Sequence, residues 1–127
     1  GKMNRMLTDH KVNEVNEQIE IAVLDEPGAG GANHVYGLVL SATPVGQAAK
    51  SLKIEFQNGP VKEAGCNGFT QEALLAVVID RLRSFQAGPY SCRENAIALT
   101  HIETGLMWLN QRTRARVARG VEGTHEK

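Results

Sequence analysis

Arg112, Arg116 and Arg119 recur at i, i+4 and i+7, a spacing that lines one face of a helix, with Arg114 turned away from it. Guanidinium forks match phosphate oxygens two at a time, so the series is a candidate anion site. Cations near a helix C-terminus also suit the macrodipole, so a plain solvated helix end accounts for it equally well. Upstream, Phe85 and Tyr90 flank Gly88-Pro89, and Asn95 follows. Two flat apolar rings and an amide that both donates and accepts suit an adenine base. The same rings could instead plug the open end of a helical hairpin. Past the basic turn, Gly120, Gly123, Thr124 and His125 form a small polar segment able to wrap a phosphate, where a frayed end is the default.

Patterns for bond-making chemistry are missing. The four histidines (His10, His34, His101 and His125) have no metal-ligand spacing, and neither a P-loop nor a nucleophile elbow is present. Gly28-Ala29-Gly30-Gly31 has the glycines of a dinucleotide loop but precedes a strand, not a helix. Cys66 and Cys92 fit neither a disulfide framework nor a zinc site, and Cys66 has no evident activating partner. A non-enzymatic cytoplasmic protein with reduced thiols, no cofactor and no metal is the simplest expectation. Fourteen Lys+Arg balance fourteen Asp+Glu, which argues against binding nucleic acid by bulk charge. No apolar run reaches the eighteen or so residues needed to cross a bilayer, and no signal-peptide pattern opens the chain. Gly1-Lys2-Met3 reads as a leader remnant before a start at Met3.

The elements that must position these residues change period midway. At 127 residues the chain has room for one domain with one core. Residues 1–16 are expected to be partly ordered, 17–66 to form a sheet, and 67–127 a helical hairpin with a tail. Glu17 to Leu24, His34 to Ala42 and Ser51 to Phe56 read as strands, with Leu52, Ile54 and Phe56 facing one way and Lys53 and Glu55 the other. Asn58-Gly59 is a strong hairpin signal, with Val61 opening a short return strand. Three or four antiparallel strands follow from this. Thr70 then caps a helix striped by Leu74, Leu75, Val78, Leu82 and Phe85, which Gly88-Pro89 ends. Ser91 and Glu94 form a capping box for a second helix, lined by Ile97, Ala98, Leu99, Ile102, Leu106 and Leu109 and unbroken to Gly120. The fold class is α+β: an N-terminal antiparallel sheet followed by a long two-helix hairpin.

The stretch FQAGPYSCRENAIALTHIETGLMWLNQRTRARVARGVEGTH, with NGFTQEALLAVVIDRL before it, resembles the hairpin shared by two groups of phage immune-evasion proteins. One group counters CBASS defence and is essentially the hairpin alone. The other counters Thoeris defence and adds an N-terminal sheet, and the strand-rich first half places this chain with the Thoeris anti-defence sponges. The resemblance is specific over residues 67–125 and rests on element order over 1–66. It implies sequestration without chemistry of cyclic ADP-ribose signals made by Thoeris TIR enzymes, in the bacterial host cytoplasm. It also implies cyclic di- or trinucleotides of CBASS as further ligands. By the resemblance, Phe85 would stack on adenine, Asn95 would bond to the ligand at the hinge, and Arg112 and Arg116 would clamp the pyrophosphate. Arg119, Gly123, Thr124 and His125 would hold a cyclic trinucleotide. The family places a basic residue of the sheet against the ligand; Lys62 is the candidate, with Lys53 behind it. Tyr90 stands where phenylalanine is common.

Geometry constrains that assignment. Asn95 and Arg112 are seventeen residues apart on one helix, about 25 Å along its axis. A ligand on the order of 10 Å across cannot meet both in one chain, so the arginines of one copy must reach the hinge of another. A homodimer is expected, with a hexamer as a trimer of dimers suited to threefold ligands. The competing reading is a small phage nucleic-acid- or protein-binding module that uses the arginine helix as its contact surface.

Overall fold

The computed structural model describes residues 5–127, so the Gly1-Lys2-Met3 leader lies outside the described residues. Contacts group into two compact units. One is the chain up to Gly59 together with Cys66–Phe69; the other is Pro60–Gly65 together with Thr70–Lys127. Each has its own small apolar centre, marked by Val23 in the first and Ile79 in the second, both 3% exposed.

The first unit is an antiparallel sheet of β1 (Arg5–Leu7), β2 (Ile19–Val23), β3 (Val35–Leu40) and β4 (Lys50–Glu55), paired in chain order. A one-turn helix, α1 (Glu14–Glu17), precedes β2, capped by the Asn13 side chain. Side chains on a strand alternate between faces, so directly paired residues share a face. The register puts Ile21, Leu38 and Leu52 in one row and Val23, Tyr36 and Ile54 in the next. The Tyr36 and Phe56 rings meet edge to face at 5.6 Å. Lys53 and Glu55 stay on the opposite face and pair at 3.1 Å. At the β2–β3 connection the Asp25 carboxylate accepts from the backbone N–H groups of His34 and Val35. Partial desolvation pushes that carboxyl up, but these N–H groups, the Asn33 side chain and the nearby His34 ring hold it below the usual carboxylate value.

The strand count of three to four holds, but the fourth strand comes from Arg5–Leu7 and not from a return strand at Val61. Residues Val61–Ala64 form a helical turn, α2, instead. Pro60 explains the difference: it has no N–H for a ladder, and its carbonyl accepts from Glu63 and Ala64. The chain re-enters the first unit at Cys66–Phe69, where Phe69 N–H donates to Glu55 and Gln57 N–H to Phe69. Gly68 sits against the Phe56–Gln57 backbone so closely that a Cβ would lie 2.4 Å from the Phe56 carbonyl carbon.

The second unit is the hairpin of α3 (Gln71–Ala87) and α4 (Arg93–Arg119). Thr70 Oγ1 accepts from Ala73 N–H at 3.1 Å, as a helix N-cap should. Arg83 on α3 donates twice to Glu103 on α4. The second cap falls one residue beyond the expected Ser91–Glu94 box, on Cys92, whose Sγ accepts from Asn95 N–H. Gln86 sets this position, because its amide both accepts from Cys92 N–H and donates to Cys92 C=O. Gly120 ends α4 in the left-handed region at φ 76°, where glycine carries no Cβ penalty. Its N–H bonds to Val117 C=O and that of Val121 to Arg116 C=O, the paired bonds of a Schellman stop.

The 27 residues of α4 span about 40 Å against about 25 Å for the 17 of α3. The hairpin leaves much apolar surface open: Trp108 is 65% exposed, Val117 60% and Val77 59%.

Candidate functional site

The two ends of α4 gather different residues. At the hinge end, Phe85 closes the last turn of α3 and remains 41% exposed. The guanidinium carbon of Arg81, one turn earlier, lies 5.5 Å from the centre of its ring. This cation–π contact occupies one side of the ring. The residue was missed by the sequence reading, although the i, i+4 spacing of Arg81 and Phe85 signals it. Asn95, in the first turn of α4, is half-buried, with its backbone fixed by the Cys92 cap. Tyr90 is largely exposed and so does not plug the hairpin. The hinge thus offers a partly open ring on α3 and an amide in the first turn of α4.

At the other end, α4 runs into the tail, which returns to α2. Arg116 is only 7% exposed. Its Nε donates to the Glu122 carboxylate at 2.9 Å, its Nη2 to the carbonyls of Val121 and Thr124, and its Nη1 to that of Glu126. Four of its five N–H groups are therefore directed to its own tail. The helical series at Arg112, Arg116 and Arg119 gives the direction of a side chain but not who answers it.

The tail is folded to match. Lys62 N–H donates to Gly123 C=O at 3.1 Å, and Gly123 (φ 82°) leaves so little room that a Cβ would come within 3.3 Å of Lys62 Cγ. His125 Nδ1 faces the Glu63 carboxylate at 3.0 Å. Thr124 Oγ1 bonds to Val121 C=O and accepts from Glu126 N–H. Arg119 Nη2 donates to Lys127 C=O.

Of the expected site residues, Phe85 and Asn95 stand at the hinge, while Arg119, Gly123, Thr124 and His125 meet at the far corner. Lys62 corrects an expectation, for it lies on α2 and joins the tail corner, not the sheet. Lys53 is on β4 and engages Glu55. Arg112 lies one turn before Arg116, is exposed, and its guanidinium has no partner among the described residues. No group of three or more His, Cys, Asp or Glu is placed to hold a metal among the described residues. No helix of the described residues is long and apolar enough to cross a membrane.

Comparison with known proteins agrees with the hairpin. The family model for the Acb2/Tad1 hairpin domain matches residues 48–114, just over half of the chain. That span holds Lys62, Phe85, Asn95 and Arg112, and stops short of Arg116 and the tail. Over 80 residues the chain is 56% identical to Thoeris anti-defense 1 of Bacillus phage SBSphiJ7, an alignment that covers 63% of this chain and 56% of that protein. By fold, residues and family match alike, the chain belongs to the Acb2/Tad1 hairpin-domain family.

Proposed function

We propose that this protein is a phage anti-defence sponge that captures cyclic ADP-ribose signals of Thoeris TIR enzymes and holds them without degrading them, in the bacterial cytoplasm. The name of the 56%-identical relative supports the Thoeris assignment. The observation that carries the mechanism is the separation of complementary half-sites on one rigid helix. Phe85 and Asn95 offer a stacking surface and an amide at one end, and Arg112, whose guanidinium has no partner among the described residues, lies seventeen residues beyond Asn95, about 25 Å away. Two copies with antiparallel α4 helices bring the Arg112 fork of one to the hinge of the other. The overhanging turns of α4 and exposed Trp108, one turn before Arg112 on the same face, are then covered as well.

Energetics favour this shared pocket over a hinge acting alone. Base stacking contributes about 1–3 kcal/mol and each charged hydrogen bond about 1.5–3, whereas nanomolar binding needs about 12. A hinge without the fork falls far short. With the fork, the remainder must come from enclosure between preformed walls, which two braced hairpins provide. Arg116, one turn beyond Arg112, also holds its own tail.

The far corner supports a second reading within the same function. Arg119, Gly123, Thr124 and His125 gather there beside Lys62, a set of donors suited to a cyclic trinucleotide at threefold contacts of a hexamer. The test is incubation with a panel of cyclic ADP-ribose isomers and cyclic nucleotides, followed by heat release and identification of the retained species. Intact cyclic ADP-ribose is expected. Hydrolysed products would make the protein an enzyme, and salt-sensitive duplex or single-strand binding with nothing released would favour the nucleic-acid module.

A further inference from the structure

The link between the two long helices holds two competing starts for α4. Ser91 and Glu94 have the spacing of a capping box, and a serine hydroxyl caps a helix better than a thiol, which is a weak acceptor. The helix is nonetheless capped by Cys92, extended at φ −152° and ψ 164°, whose Sγ accepts from Asn95 N–H at 3.4 Å. The Ser91 and Glu94 side chains are exposed and enter no hydrogen bond among the described residues. Gln86 outweighs the box. From the last turn of α3 its half-buried amide accepts from Cys92 N–H at 3.1 Å and donates to Cys92 C=O at 3.2 Å. Were Ser91 the cap, Cys92 would take helical dihedrals and its backbone would turn away from that amide.

We infer that Gln86 is a positioning residue of the hinge: by holding α4 in the Cys92 register, it fixes where Asn95 stands relative to Phe85. Gln86 adjoins Phe85 on α3, and Cys92 carries Asn95 through its cap, so one amide ties together the two elements that share the ligand. The inference deepens the sponge reading and rests on it for its ligand, whereas the register can be read without one. A start at Ser91 would shorten the connection between Ala87 and Arg93 by one residue and shift the first turn of α4 against the end of α3. With both Gln86 bonds removed, the two registers exchange. Apparent affinity then falls by the fraction of molecules left in the Cys92 register.

The experiment compares wild type with Gln86→Ala, Ser91→Ala and the double variant. Calorimetry with a cyclic ADP-ribose isomer gives affinity, and the backbone carbon chemical shifts of Cys92 separate an extended from a helical residue. In Gln86→Ala, Cys92 is expected to move to helical shifts and affinity to fall about tenfold or more. Ser91→Ala alone should leave both unchanged. Added to Gln86→Ala, it should return Cys92 to extended shifts and affinity to within about threefold of wild type, a rescue that a merely structural role would not show. Gln86→Glu keeps the acceptor for Cys92 N–H and loses the donor, so an intermediate loss is expected; it decides if Gln86→Ala does not fold, and no loss would overturn the inference. Extended Cys92 shifts or unchanged affinity in Gln86→Ala would also overturn it. So would a double variant that stays weak with Cys92 extended, because Gln86 would then act on the ligand directly. If wild type binds no cyclic ADP-ribose, the sponge reading fails, and the Cys92 shifts alone support or overturn the control of register by Gln86.

Discussion

Phe85 presents a ring that is braced on one side by Arg81 and partly open to solvent. Replacing it with alanine removes the stacking surface, so Phe85→Ala should weaken cyclic ADP-ribose binding by about 5- to 150-fold, the equivalent of about 1–3 kcal/mol. Calorimetry at matched salt measures this; an unchanged affinity would move the adenine elsewhere. Asp25 makes a pH prediction. Its carboxyl is held below its ordinary value of 3.8 in the folded chain, so the charged form is the one stabilised. The contribution is present above the unfolded value and is lost as pH falls through the folded one. The stability gap between wild type and Asp25→Asn should therefore narrow as acid denaturation is followed from neutrality to below about pH 4. A gap that stays constant would show that the carboxylate does not hold the β2–β3 connection. The sequence puts Phe85 and Asn95 on either side of the Gly88-Pro89 break, and the structure leaves both accessible at the hinge. At Arg116 the spacing leaves the partner open, because a phosphate and a ring of carbonyls make the same demand on a guanidinium.

Elements were readable where a local signal had no competitor. Thr70, Gly88-Pro89 and Gly120 punctuate the hairpin, and the structure uses each in its expected role. Reading failed where a neighbour altered the balance. Asn58-Gly59 signals a hairpin, but Pro60 denies the return strand its N–H, and Asn58 bonds instead to Ala29 and Asn67. Ser91 and Glu94 spell a capping box, yet the Gln86 amide fixes Cys92 at the helix start. Both deciding contacts join residues outside the motif itself. Gly68 is another such case: nothing around it announces that its α-carbon lies against the Phe56–Gln57 backbone. Gly68→Ala forces that backbone apart and should destabilise the sheet unit by about 1–3 kcal/mol, with a lowered thermal midpoint. An unaltered melt would mean the chain passes Phe56 with room to spare.

At the scale of the whole molecule, the long helix limits what one copy can do. The same rigidity that makes α4 a good frame keeps Asn95 and Arg112 from sharing a ligand within a chain. Light scattering should therefore give a multiple of the 13.8 kDa chain mass even without ligand. The expectation of subunit pairing rests on helix length, while the number of copies depends on surfaces that no periodicity encodes. The most direct test of a pocket completed by a second copy is complementation between Phe85→Ala and Arg112→Ala, each of which should bind cyclic ADP-ribose poorly alone. Co-expressed in equal amounts and purified together, they should recover tight binding at about one quarter of the wild-type stoichiometry, because one random pairing in four joins an intact hinge to an intact fork. Mixed oligomers that form and still bind nothing tightly would contradict the account.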